Sequence, residues 1–522
     1  MPSDRPRAGG RASSGPRHGV AALCGLILAG PVFAQEPLSA IDWLSKSVTT
    51  PLAVLPPEEP AVSKGAKPED VAVSTLDGPS PDAAGLLPGS VTGLPRDLWG
   101  MGRTDEIVGR IAAAPTTTLP ALQSLLLTLL LAEAEAPVDA EGKGKLLLAR
   151  IDKLLAMGAL DQAESLMRAG GQSGPQYFRR SFDVALLTGE EDAACQEMQK
   201  SPDLAPTFPA RIFCLARSGD WNAAALTLRT AQALGFVGDY DDALLSRFLD
   251  PDLYEGEEPL EAPQHPTPLV WRMMEAIGEP LPTQSLPLAF SHAELRDAAG
   301  WKAQVEAAER LTRASVLEPN RLLGLYTERR PAASGGVWDR IEAFQSFDEA
   351  LTASDAALVA ETLAPAWARM TEAELEVAFA ELYSQPLRKI ALTGEPAALA
   401  FRIGLLSDRY ESVAQARVPA SGAESFLIAL AKGNVAGVLP TDSMGRAISP
   451  AFLDAEPSEE AVTLLDSGRI GEAVLLALEQ ISRGVHGDLG GVTEGLALLR
   501  RLGMEETARR TALELLLLER RG

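Results

Sequence analysis

The chain has 522 residues with 71 acidic against 47 basic side chains, a formal net charge of −24. A surface this acidic repels nucleic-acid phosphates and anionic lipid, which excludes nucleic acid as a partner. Aromatic residues make up only 5% while Ala and Leu abound and β-branched runs are scarce, so the composition favours helix over sheet.

The N-terminus reads as an export signal. Arg5, Arg7, Arg11 and Arg17 form a basic region, Val20 to Ala29 a short apolar run, and Val32-Phe33-Ala34 a small-x-small cleavage site. Residues 1–34 are then removed, and a periplasmic protein without a membrane span begins at Gln35. Residues 35–98 carry Pro56, Pro57, Pro60, Pro68, Pro79, Pro81, Pro88 and Pro95 with few large apolar side chains, the composition of a disordered Pro/Ala-rich tether. One island, 38–48, breaks it. Wound as a helix, Leu38, Ile41, Leu44 and Val48 share a side, and Trp43 adds an aromatic, so this segment is a candidate docking peptide for a partner's groove or for the chain's own helices.

The block 99–250 is expected to be helical. It opens with a helix over 98–113 and a leucine-dense helix over 119–134, too short to cross a bilayer. Three similar segments follow, at Met157-Gly158-Ala159-Leu160, Thr188-Gly189-Glu190-Glu191 and Ser218-Gly219-Asp220-Trp221. Each Gly follows an apolar run and precedes an Ala by five residues, at Ala163, Ala194 and Ala224. Gly after a helix accepts the left-handed conformation that ends it, and Asp220 suits the next helix N-terminus. A recurring unit of this size predicts stacked helical hairpins.

At Gly219, Asp220, Trp221 and Ala224, and less closely at Gly158, Leu160 and Ala163, the sequence resembles the tetratricopeptide family. The resemblance implies an all-α, TPR-like solenoid in two blocks, a curved surface for protein partners, and structural roles at the turns for Gly158, Gly189, Gly219, Trp221 and Ala224. The family's first-helix Trp, Leu-Gly and Tyr positions are mostly missing here, and the spacings of 31 and 30 residues are shorter than the usual 34.

Residues 251–290 form a Pro-rich crossover with one helix near 269–277. Its entry is acidic, from Asp239 to Glu258, without the spacing of a calcium loop. The block 291–522 returns to helices, including 301–316, 338–351, 355–369 and 372–383, with Ser354 and Thr371 as N-caps. The Gly-plus-five pattern reappears at Gly394/Leu399, Gly433/Val438, Gly468/Ala473 and Gly503/Ala508. After export two cysteines remain, Cys195 and Cys214, in adjacent predicted helices, an arrangement that predicts a disulfide.

No catalytic motif stands out. His265, His292 and His486 are far apart, no phosphate loop or nucleophile elbow is present, and no cofactor is implied. Glu424-Ser425-Phe426 resembles the start of the acid motif of lytic transglycosylases. The continuation Leu427-Ile428-Ala429 lacks its Pro, and Gly437-Val438-Leu439-Pro440 lacks its Met-Gln. The expectation is a non-enzymatic scaffold for protein partners in a cell-envelope assembly. The alternative is a peptidoglycan-binding or peptidoglycan-cleaving protein.

Overall fold

The leucine-dense helix sets the architecture. A computed structural model describes residues 80–518, all within the unit Ser39–Gly522. In it this helix runs Pro120–Leu131, with Leu122, Leu126, Leu129 and Leu130 at most 1% exposed. Apolar on nearly every side, it has to be enclosed on nearly every side. Its neighbours come from both ends of the chain: Lys145–Ala156 follows it directly, while Ile470–Val485 and the final helix Glu505–Leu517 arrive more than 330 residues later. The described chain therefore closes on itself.

Both termini of Pro120–Leu131 are satisfied by charges from elsewhere. Its N-cap, Leu119, has no side chain to offer. The buried Glu514 carboxylate accepts the Ala121 N–H at 3.0 and 3.1 Å instead. At the other end the fully buried Arg150 donates to the carbonyls of Leu130 (2.7 Å), Ala132 (2.8 Å) and Ala84 (2.6 Å). An anion at the first turn and a cation at the last complement the helix dipole and the orphan backbone groups together. The helix Lys145–Ala156 starts in the same way: its N-cap is Gly144, and buried Asp82 accepts the Leu147 N–H at 2.8 Å.

The described residues are helical throughout, with one isolated β-bridge between Leu87 and Ala132 and no strand. Among the described residues, several helices pack on the one that follows them in sequence, such as Lys145–Ala156 with Leu160–Gly170, Val337–Thr352 with Ala356–Glu372, and Ile470–Val485 with Leu489–Arg501. One apolar core extends from Leu94 to Leu518 and takes in both ends of the described chain. A second, aromatic-richer core lies between Phe178 and Met274. No described helix is long and apolar enough to cross a membrane.

Several local expectations differ from the structure. The helix expected over 98–113 is Thr104–Ala113. The residues before it are held out of helix by their contact with the C-terminal region, where Gly471 N–H donates to Leu98 O at 2.8 Å and Met101 N–H to Ser467 O at 3.3 Å. Ser354 is not an N-cap. It adopts φ 56° behind Val337–Thr352, and Asp355 caps the next helix by accepting from Ala357 and Leu358. Thr371 lies inside Ala356–Glu372, because the break comes later, at Glu374 with φ 57°. Gly394 opens a helix rather than closing one, with Pro396 in its first turn, where a proline costs no hydrogen bond. After Gly433 the chain runs through turns to Ser443 before a helix resumes.

Candidate functional site

The second core belongs to a lobe of six helices, Pro175–Thr188, Glu191–Lys200, Phe208–Arg217, Trp221–Ala233, Asp239–Leu249 and Pro268–Ala276. Each packs on the next, and the last returns to the first. A disulfide joins Cys195 to Cys214 across two of these neighbours, with a Cα–Cα distance of 5.0 Å. Glu191, buried at a helix start, is held by Arg272 through Nε and Nη2 at 3.0 and 2.8 Å. The lobe is thus fastened covalently and by a buried ion pair.

The turn at Gly219 follows from its residues. Gly219 has φ 86°, and the N–H groups of Gly219 and Asp220 donate back to Ala216 and Leu215, closing the last turn of Phe208–Arg217. Asp220 then accepts the Ala223 N–H at 3.0 Å and starts Trp221–Ala233. Ala224 is fully buried, which lets the two helices approach. Gly189 has the same left-handed backbone, φ 84°, and here Cys195 rather than Ala194 takes the buried position.

Trp221 itself is 50% exposed, its ring 6.3 Å from Phe248 of Asp239–Leu249. The turn Pro251–Tyr254 packs on that same helix and exposes Leu253 to 69%. Between them, residues 239–261 carry nine carboxylates and one guanidinium, Arg247. Arg247 is occupied by Glu279 and Glu257 and lies over the Tyr254 ring. The lobe therefore presents exposed apolar side chains beside a strongly negative rim.

The lobe also carries a buried acid. Asp183 of Pro175–Thr188 is 5% exposed, and its Oδ2 has no hydrogen-bond partner. Burial pushes its carboxyl up to about 7, against the pull of Arg179 and Arg180. A folded-state value above the unfolded 3.8 means that the native state holds a proton the unfolded chain releases. This contribution to stability is complete below about pH 4 and lost as pH rises through 7. Asp183→Asn is expected to flatten that slope, which is about 1.4 kcal/mol per pH unit at its steepest. The variant should be more stable than wild type at pH 8 and not at pH 4. Urea unfolding at the two pH values checks this, and equal gains at both would refute it.

The remaining turn residues lie elsewhere. Gly158 has φ 77°, and its carbonyl meets Nε2 of half-buried His292 at 2.7 Å. Burial pushes that imidazole down. Gly468 and Gly503, with φ 65° and 79°, end the helices Glu459–Asp466 and Leu489–Arg501, and Ala473 and Ala508 five residues on are fully buried. Gly468 also touches the N-terminal region, since a Cβ on Gly100 would run into its carbonyl. The segment with Leu38, Ile41, Trp43, Leu44 and Val48 lies outside the described residues, as do residues 1–34, where the export signal is expected.

Glu424 does not have the surroundings of a general acid. Arg417 holds both of its oxygens, at 2.8 and 3.2 Å, and the Ala420 N–H donates to it at 2.9 Å. The Arg417 bond holds its carboxyl below the usual range, whereas protonating a leaving group needs a raised value. Among the described residues no group of three or more His, Cys, Asp or Glu is placed to hold a metal ion.

A separate cleft of about 480 Å³ opens where the two ends of the described chain meet. Its walls come from Thr116–Gln123, Arg310–Ala314 with Glu374, and Ser482–His486. The residue types in this cleft carried no sequence motif, because they are drawn from segments up to 370 residues apart. Comparison of the chain with protein families, with curated proteins and with solved structures returned no match.

Proposed function

We propose that this protein is an exported, non-enzymatic helical scaffold, built of TPR-like hairpins, that binds a protein partner in a cell-envelope assembly. The observation that supports this most directly is the exposed Trp221 and Leu253 beside the nine carboxylates of residues 239–261. An exposed tryptophan with an apolar neighbour is the usual anchor of an interface, and a one-signed rim selects the partner's charge and speeds encounter. The partner segment this face fits is apolar with flanking Lys or Arg. The disulfide-fastened lobe holds the face rigid, which lowers the ordering cost of binding. A disulfide also fits an oxidising compartment such as the periplasm.

The test is site-specific photo-crosslinking in the exporting cell from positions 221 and 253, with position 418 as control. Val418 is 86% exposed and lies outside the lobe. One envelope protein captured from 221 and 253 but not from 418 is the expected result. Trp221→Ala should weaken its binding ~10-fold or more while changing stability by no more than about 1 kcal/mol. Binding should also weaken as salt rises. Equal capture from all three positions, or none, overturns the reading.

A further inference from the structure

We infer that the cleft between the N- and C-terminal parts of the described chain is a binding site for a small acidic sugar, a polyhydroxylated molecule carrying one carboxylate or phosphate. This goes beyond the scaffold reading and uses none of its residues. The cleft volume, about 480 Å³, is within the range of small-molecule sites, roughly 300–1,000 Å³.

Gln123 is the first observation. It lines the cleft at 3% exposure, and its Oε1 is buried without a hydrogen-bond partner. A buried carbonyl oxygen left unbonded is costly, and it calls for a donor from a visiting group. It sits in the first turn of Pro120–Leu131, the same helix whose ends Glu514 and Arg150 satisfy so fully. The Gln123 Oε1 asks for a hydroxyl or N–H donor.

The second observation is a pair of guanidiniums one helical turn apart. Arg310 donates to the carbonyls of Thr283 and Leu286, each at 2.8 Å, and has no carboxylate partner among the described residues. Arg313 donates to Ala373 O at 2.9 Å and lies 3.6 Å from Glu374 Oε2. The two cations repel each other in a protein of net charge −24, where most arginines have found a carboxylate. An anion between them relieves that repulsion. Glu374 offsets part of the charge, so a single oxyanion fits better than a polyphosphate.

The rest of the wall mixes hydroxyls with apolar side chains such as Leu119, Leu288 and Val485. Thr116, Thr117, Thr118 and Ser482 line it, and Thr118 Oγ1 and Ser482 Oγ share a hydrogen bond of 2.8 Å across the two chain ends. No Phe, Tyr or Trp lines the cleft, and its single aromatic ring is the His486 imidazole, which offers a nucleobase a smaller stacking surface. Hydroxyls, an amide and two guanidiniums together match a sugar ring bearing an acid. Because both chain ends supply wall, only the closed native chain binds, and the ligand must raise the unfolding midpoint.

The experiment is calorimetric titration and thermal unfolding of the mature protein with D-glucuronate, glucose 6-phosphate, glucose and inorganic phosphate. Binding of glucuronate or glucose 6-phosphate, at least 10-fold tighter than glucose or inorganic phosphate, is expected, and the tighter of the two names the oxyanion. Gln123→Leu removes the orphaned oxygen, so it should leave the free protein at least as stable while weakening the acidic sugar at least 10-fold. Arg313→Gln, at a partly exposed position, should weaken binding likewise and serves if Gln123→Leu does not fold. The proposal fails if neither acidic sugar binds, if glucose or phosphate binds equally well, or if a folded variant binds as wild type does. Photo-crosslinking from position 221 is independent of these residues, so the two readings fail separately.

Discussion

Glu472→Ala is expected to destabilise the folded chain by about 3–5 kcal/mol, the cost of removing one partner from a buried ion pair. The Glu472 side chain is fully buried. Arg469 grips it through Nε and Nη2, each at 2.6 Å, and Arg110 of the N-terminal region lies 3.5 Å away. Arg469 also reaches Glu106, and Arg110 reaches Glu460 at 2.6 Å. This network spans the junction between the start and end of the described chain, so the variant leaves two guanidiniums facing a cavity at the closure itself.

The packing around Glu472 leaves little room to adapt. A Cβ on Gly471 would enter the Trp99 ring, and one on Gly102 would meet the Glu472 carboxylate. Arg110→Gln is the milder control. Arg110 is 28% exposed and approaches Glu472 less closely, so about 1 kcal/mol is expected. Urea unfolding measures both. A loss under 1 kcal/mol for Glu472→Ala would mean that closure rests on the apolar contacts alone.

Arg150→Ala is the second large effect, again about 3–5 kcal/mol. Its guanidinium is fully buried, and each of its three nitrogens serves a different carbonyl, on Leu130, Ala132 and Ala84. Without it those acceptors stay buried and unmet, at roughly 1–3 kcal/mol each before relaxation, and a cavity is added. Burial pushes the guanidinium down to about 10, yet it stays protonated at neutral pH. Arg150→Lys should recover little, since one ammonium cannot reach three carbonyls set around a planar fork. Hydrogen exchange offers a local readout: amides of residues 129–134 should lose protection before those of the disulfide-fastened lobe. An unchanged midpoint for Arg150→Ala would show that the carbonyls find other donors.

Much of the helical content was legible in the sequence because it follows from local rules. Apolar spacing marks Pro120–Leu131, Ile470–Val485 and Glu505–Leu517 as helices with faces to bury. The Gly-Asp pair at 219–220 marks a stop and a start within five residues, because φ 86° and a carboxylate on Ala223 N–H are properties of those two residues alone. Where local rules compete, the sequence misleads. Ser354 and Asp355 are both good caps, and only the path of the chain assigns φ 56° to the first and the capping bonds to the second.

The polar residues that fasten the protein have no such local signature. Glu472, Glu514 and Arg150 look like ordinary surface charges in helical stretches, and Gly100 and Gly102 look like ordinary loop glycines. Their roles depend on partners distant in sequence: Glu514 on the Ala121 N–H, 393 residues away, and Gly100 on the Gly468 carbonyl. The cleft is hidden for the same reason, with Gln123, Arg313 and Ser482 meeting only after the ends close. Sequence alone determined that the chain makes helices and where several of them stop, because those choices are settled within a turn or two of backbone. Tertiary structure decided which buried charges are paired and where a ligand could lodge, because desolvation and pairing energies depend on what packs alongside.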